Sequence, residues 1–415
     1  MTQRPWIGVI LRANRAIGTG HLMRIKPLLP QLKTHAKLRL YVYAFDEALR
    51  PLCAEYDEIK TFATKDEVLA HLTALPAPEP AQEPEGSGEY LPQVLIIDDY
   101  AIDASFEAPL SARTRIMVVD DLVNRPHDCA LLLDQGLTRT AQDYQHLCNA
   151  DCRYLVGARY SLTSERFYPR NYQLSEPSAC PCPAHHNALS VRALLGKSKA
   201  ELQGPLPPIA NAAHFAPKEL KPALMQAGLD LNQLGPTVPP RVFVNFGGAD
   251  PVSACLKFAH ALLAGQLYQH YDFTIVAGAA NQDYDALQKL LTQVPANYQE
   301  RVKLLRHCHD VADLLFKHDV AIGAYGGMFR ERIAAGIPTI GVVIADNQAG
   351  APAAQLGFNF GLDLSLEQLS DPNAVAPSLA TLVEKAPDFT SSCLKVYDGQ
   401  GLERIVSAIV ALLPH

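Results

Sequence analysis

The chain has 415 residues, 48% of them hydrophobic, with 36 Lys and Arg against 43 Asp and Glu for a net charge of -7. That balance argues against electrostatic binding to nucleic acid or an anionic membrane, and no apolar run approaches the roughly 20 residues needed to cross a bilayer. Such a length predicts two domains, and the opening Met1-Thr2-Gln3-Arg4-Pro5, without the apolar core of a signal peptide, predicts a cytoplasmic protein.

The first strand-like run, residues 6–11, leads through a short loop into Ile17-Gly18-Thr19-Gly20-His21-Leu22-Met23-Arg24 and an apolar, helix-competent segment. Two glycines let the backbone approach a ligand closely. The helix start that follows favours phosphate, and a histidine in that mouth can act as a base near neutral pH. A short pattern of this kind also occurs where nothing is catalysed, with the histidine serving only as a helix cap.

Further strand candidates are 38–43, 94–98, 115–120 and 130–134. They are rich in Val, Ile and Leu on both faces, as parallel strands covered by helices should be. A proline-rich stretch, 76–92, interrupts them and reads as a solvated loop. Two acidic pairs follow strand ends: Asp98-Asp99, continued by Tyr100, and Asp120-Asp121. Carboxyl ends of parallel strands are where open α/β sheets bind ligands, although an aspartate there can equally cap the next helix.

Nine cysteines in an odd, scattered arrangement, including Cys53, Cys129, Cys255 and Cys308, do not suggest a disulfide framework. Cys148 and Cys152, with Cys180-Pro181-Cys182 and His185-His186, carry zinc-ligand chemistry. One residue between two cysteines is unusual for a structural site, however, and the expectation is no metal. Residues 175–240, rich in Pro, Ala, Gln and Asn, contain no clear strand, only short helix candidates at 188–202 and 217–231. They read as a linker insertion and a possible platform for a partner.

The second half repeats the alternation, with strand candidates at 241–246, 273–278, 302–305, 320–323 and 339–344. Phe246-Gly247-Gly248-Ala249-Asp250-Pro251 follows the first of these, with Pro251 suited to a helix start. Gly323-Ala324-Tyr325-Gly326-Gly327-Met328-Phe329-Arg330-Glu331-Arg332 follows the fourth, and Gly336-Ile337-Pro338 supplies the stop. Amides near Gly326-Gly327 can cradle a diphosphate, and Glu331 can accept both ribose hydroxyls. The competing reading is an ordinary turn with a solvated glutamate.

These motifs, in order, resemble the UDP-sugar hydrolases of pseudaminic acid biosynthesis. The matches are residues 17–24; Ile97-Asp98-Asp99-Tyr100; Val119-Asp120-Asp121-Leu122; Arg125-Pro126-His127-Asp128-Cys129 with Leu132-Leu133-Asp134-Gln135; and Gly157-Ala158-Arg159-Tyr160. They continue with Asn245-Phe246-Gly247-Gly248-Ala249-Asp250, Ala345-Asp346-Asn347-Gln348 and Asp398-Gly399-Gln400-Gly401. The resemblance implies an α/β chain of two Rossmann-like domains facing a cleft, of the GT-B type. The expected parts are residues 1–174, the linker 175–240, a nucleotide-binding domain 241–396, and a C-terminal helix in 397–415 that returns to the first domain. It implies His21 as catalytic base with Tyr100 beside it, and UDP held by the second-domain loop and Glu331. Gly18, Gly20, Arg24, Asp99, Gly247, Gly248, Gly326, Gly327, Asn347 and Gln348 complete the expected substrate contacts, with no cofactor.

The implied reaction expels UDP from the anomeric carbon, so the site must activate water and hold a diphosphate. This chain departs from the family at Tyr325-Gly326-Gly327-Met328-Phe329-Arg330-Glu331, where Met328 and Phe329 replace phosphate-binding hydroxyls. It departs also at Asp134-Gln135-Gly136 and at Leu162-Thr163-Ser164. A glycosyltransferase on the same scaffold and a non-catalytic sugar-nucleotide or partner-binding protein are the alternatives.

Overall fold

A computed structural model describes residues 4–14, 20–77, 89–168, 239–278, 280–306, 308 and 310–414. The chain divides into two compact units, one within Met1–Leu162 and Gln400–His415, the other within Thr163–Gly399. The linker candidates at 188–202 and 217–231 lie outside the described residues, as do Gly18 and the tip of the 76–92 loop. The base of that loop is closed by Leu91 N–H donating to Pro76 O at 3.0 Å. Glu89 beside it pairs with Arg39 and Lys60. Among the described residues no helix is long and apolar enough to cross a membrane.

The first unit is built on strands β1 (Trp6–Arg12), β2 (Lys37–Tyr43), β3 (Glu58–Phe62), β4 (Val94–Asp98), β5 (Arg115–Val119), β6 (Leu131–Asp134) and β7 (Arg153–Val156). They run parallel in the order β3-β2-β1-β4-β5-β6-β7. Side chains alternate faces along a strand, and both faces are buried. Ile7, Val9, Leu11, Leu38, Leu40, Val94, Ile96 and Met117 share one core. Ile10, Tyr41, Leu95, Ile97, Ile116 and Val118 share the other. This double burial is why these strands read as unbroken apolar runs. The C-terminal helix Gly401–Val410 places Leu402, Ile405, Val406 and Ile409 in the first core, with Leu22, Ile25 and Leu29.

The second unit carries β8 (Arg241–Asn245), β9 (Asp272–Val276), β10 (Val302–Leu305), β11 (Val320–Ala324), β12 (Thr339–Val342) and β13 (Gly361–Leu364), parallel in the order β10-β9-β8-β11-β12-β13. Three strands escape the sequence reading: β3, β7 and β13. All three are sheet edges, short and only partly buried, so their residues lack the apolar continuity that marks inner strands.

Strand order reverses between β1 and β4 in the first sheet and between β8 and β11 in the second. In open parallel sheets the crevice outside the carboxyl ends at such a reversal is the usual ligand site. His21 follows β1 and Asp98 ends β4; Gly247-Gly248 follow β8 and Gly326-Gly327 follow β11.

Candidate functional site

In the first unit His21 is the second residue of helix Gly20–Ile25 and is buried. Its Nδ1 stands 2.7 Å from Asp98 Oδ1. Asp98 is fully buried. Burial opposes its charge, but Arg24 beside it and the His21 hydrogen bond hold the carboxyl below the ordinary carboxylate range. Because Asp98 is charged, His21 donates from Nδ1, and the lone pair of the neutral ring belongs to Nε2. A carboxylate that sets the tautomer of an imidazole is the arrangement a water-activating base needs.

One turn further along the same helix, Arg24 grips the cluster from the other side. Its Nε donates to Asp98 Oδ2 at 2.9 Å, a second guanidinium nitrogen bonds Asp98 Oδ1, and Nη1 donates to Asp121 Oδ2 at 2.7 Å. Its guanidinium is thus spent on two aspartates of the chain, which makes Arg24 a clamp on Asp98. The Tyr100 ring meets His21 edge to face at 4.8 Å between centroids. Burial and Asp121 push its phenol up to about 12, so Tyr100 keeps its proton at neutral pH as a donor.

Adjacent aspartates do different work. The Asp99 carboxylate accepts from Tyr43 Oη and from Ala101 N–H at 2.8 Å, and pairs with Arg12 at 3.3 Å. These contacts tie Asp99 to the ends of β1 and β2. Asp120 accepts from Val123 N–H and Tyr144 Oη and pairs with Arg125. Asp134, pushed up to about 6 by burial, accepts from Gly136 N–H and Tyr144 Oη. Gly20 opens helix Gly20–Ile25, and a Cβ there would meet nothing within 4 Å.

In the second unit the two glycine turns differ. After β8, Gly247 adopts φ +92°, a conformation that favours glycine. Asp250 then closes helix Ala254–Ala264: its oxygens accept from Ala254 N–H and Cys255 N–H, both at 2.8 Å. The positive end of that helix is therefore already neutralised by a carboxylate. A Cβ on Gly278 would fall 2.1 Å from Gly248 O, so β9 and the first turn fit only with glycine there.

After β11, helix Gly327–Ala334 has no side-chain cap and no acidic residue in its first turn. A Cβ on Gly327 would meet nothing within 4 Å, and one on Gly326 would lie 3.9 Å from Gln348 Nε2. Gln348 is held by Ile344 N–H donating to its Oε1 at 3.1 Å. Of the two turns, this one keeps the uncapped N–H groups and positive dipole end that bind phosphate. The side chain of Asn347 lies outside the described residues.

Glu331, on the same helix, is partly buried, and desolvation pushes its carboxyl up to about 7. Its neighbour Arg332 is fully buried and donates to Ala324 O at 2.6 Å, while its Nε and Nη1 have no partner. Nη1 packs directly against Gly323. Sequence reading did not single out this buried cation beneath the turn; the missing side chain at Gly323 was its signal. Phe329, expected where a phosphate-binding hydroxyl stood, instead turns inward against Tyr325 at 4.8 Å between centroids. The change at that position packs the core.

No family model matches the chain. The UDP-2,4-diacetamido-2,4,6-trideoxy-β-L-altropyranose hydrolase of Campylobacter jejuni is 35% identical over 78 residues, which are 18% of this chain and 28% of that protein's length. Among solved structures, MurG of Acinetobacter baumannii is similar with a TM-score of 0.57 and 11% identity, covering 98% of this chain and 99% of that one. The glycotransferase of kitacinnamycin gives 0.53 and 14%, covering 99% and 100%. The UDP-GlcNAc 2-epimerase of Methanocaldococcus jannaschii gives 0.52 and 8%, covering 98% and 99%. The chain has a GT-B-type fold. Likeness at these identities establishes architecture, and function has to be argued from the side chains.

Proposed function

We propose that the chain is a nucleotide-sugar hydrolase that cleaves a UDP-linked diacetamido-trideoxy sugar at the anomeric carbon, releasing UDP and free sugar for nonulosonic acid synthesis. The observation that carries this reading is the His21–Asp98 pair at the reversal point of the first sheet. The name of the partly matching Campylobacter jejuni protein supports the substrate class.

In this mechanism His21 Nε2 takes a proton from water as the water oxygen bonds to the anomeric carbon. The bond from that carbon to the UDP oxygen breaks, and UDP leaves with the electron pair. Asp98 keeps His21 in the accepting tautomer and steadies the imidazolium that forms. Tyr100 packs the imidazole, and Arg24 holds Asp98. UDP needs little proton assistance, so the second unit's task is to bind it: the amides at Gly326-Gly327 take the diphosphate, Gln348 lies beside them, and Glu331 accepts the ribose hydroxyls. Gly247 and Gly248 shape the neighbouring turn. No metal enters these steps.

A glycosyl transfer in which an acceptor hydroxyl replaces water uses the same base and the same nucleotide contacts. The similarity of fold to a glycotransferase and an epimerase keeps both reactions as measurable alternatives. The test is UDP release from a panel of UDP-sugars, with and without acceptors, for wild-type and His21→Ala chains. Release in water that falls about 10²–10⁴-fold in folded His21→Ala, with UDP still bound, supports hydrolysis. Release only with acceptor selects transfer, and epimer without UDP selects the epimerase reading. Full activity of folded His21→Ala sinks the mechanism.

A further inference from the structure

Cys129 precedes β6, and Cys148 and Cys152 precede β7. Folding brings Cys129, set apart from the other two in sequence, against them: the three Sγ atoms all lie within 4.8 Å of one another. Cys129 and Cys152 are buried, Cys148 is partly so, and all three are free thiols. The Cys129–Cys152 Sγ separation is 3.6 Å. Two sulfurs each about 2.3 Å from a tetrahedral zinc stand about 3.8 Å apart, so little movement is needed to admit the ion.

A second observation points the same way. His127 pairs with Cys148 in a β-bridge, which sets the two residues side by side. Its ring is fully buried, Nδ1 contacts Glu107 Oε1 at 2.8 Å, and Nε2 has no partner. A buried, unpartnered imidazole nitrogen is costly unless something binds it. The Glu107 contact fixes this ring beside the Cys148 segment. The support extends outward: Glu107 Oε2 accepts from Asp128 N–H at 2.6 Å, and Asp128 Oδ1 accepts from Asn149 Nδ2 at 2.7 Å, tying the two cysteine segments together.

We propose that Cys129, Cys148 and Cys152 bind one zinc-class divalent ion as thiolates. Each thiol releases its proton to solvent as its Sγ–metal bond forms. With three protein donors, the site keeps a fourth coordination position. It lies at the amino ends of β6 and β7, whereas Asp98 and Asp134 end their strands at the carboxyl side. Its role is to clip the starts of two strands at the sheet's edge.

The test uses the full chain purified without chelator. Expected are one zinc per chain by elemental analysis, thiolate-to-cobalt charge-transfer absorption on cobalt substitution, and a melting temperature that falls on chelation and recovers with zinc. Cys148→Ser, at the most exposed of the three positions, should weaken zinc by more than the about 10–100-fold that loss of an outer-shell partner costs. Cys180→Ser/Cys182→Ser should leave the stoichiometry unchanged. A Cys129–Cys152 disulfide in peptide maps, three freely titrating thiols with no bound ion, or unchanged affinity in folded Cys148→Ser would each overturn the proposal. So would loss of the ion in the Cys180→Ser/Cys182→Ser chain.

Discussion

His21 Nδ1 and Asp98 Oδ1 stand 2.7 Å apart, joining a residue just after β1 to the last residue of β4 across 77 positions of sequence. Parallel pairing of β1 with β4 makes the contact possible, because it brings the carboxyl ends of the two strands together. Asp98→Asn keeps the shape and removes the charge that fixes the imidazole tautomer. Turnover should fall about 10²–10⁴-fold while UDP affinity changes little. Steady-state kinetics on folded protein, with UDP titrated separately by calorimetry, checks the split; wild-type turnover in Asp98→Asn would remove the pair from the chemistry.

Glu331 supplies a pH dependence. Its carboxyl titrates at about 7, and ribose hydroxyls donate best to the charged form. UDP affinity should therefore rise as pH increases from about 6 to about 8, flatten in Glu331→Gln, and weaken by about 1–3 kcal/mol in Glu331→Ala. Stability without ligand should move the opposite way. The folded chain holds this proton up to about pH 7, whereas the unfolded chain releases it near the ordinary glutamate value of about 4.3. The native state therefore binds more protons between those values, and stability falls as pH rises through that window. Glu331→Gln should reduce that slope. Chemical melts at several pH values test the second half, and an unchanged slope would show that Glu331 is not desolvated.

Asp250 is expected to matter for the fold rather than for the nucleotide. Asp250→Ala leaves the Ala254 and Cys255 N–H groups without their buried acceptor. The loss should be about 1–3 kcal/mol in urea melts. UDP affinity measured on the remaining folded protein should stay close to wild type, and a large loss would bring Asp250 into the binding site.

Two glycines separate packing from binding. Gly278→Ala drives a Cβ into the Gly248 carbonyl and should cost about 1–3 kcal/mol of stability. Gly327→Ala meets no neighbour and sits in helix Gly327–Ala334, so stability should hold or rise by up to about 1 kcal/mol. If a diphosphate approaches the Gly327 backbone, the same methyl should weaken UDP. Paired thermal melts and UDP titrations read both effects; an unaltered UDP affinity in Gly327→Ala would move the phosphate away from this turn.

Much of the scaffold was legible because it is locally encoded. Inner strands such as β1, β4, β8 and β11 are buried on both faces, so nearly every position must be apolar and the run is visible. Edge strands β3, β7 and β13 face solvent on one side and one border, and their sequences carry no such mark. The glycine turns and the stop at Gly336, with φ +70°, were visible for the same local reason. The Met328-Phe329 departure was visible too, but its meaning was not, since only packing against Tyr325 shows that Phe329 faces inward.

Sequence alone determined the alternation of strand and helix, the glycine turns at strand ends, and the presence of a histidine, paired aspartates and a glutamate near those turns. All of these depend on residues a few positions apart. Tertiary structure alone decided that of two adjacent aspartates Asp98 meets His21 while Asp99 meets Tyr43 and Arg12. It likewise decided that Asp250 closes one helix start while the start at Gly327 stays uncapped, and that Cys129 joins Cys148 and Cys152. Successive side chains on a strand point to opposite sides, and what each side meets is set by strand order, which brings together residues far apart in the chain.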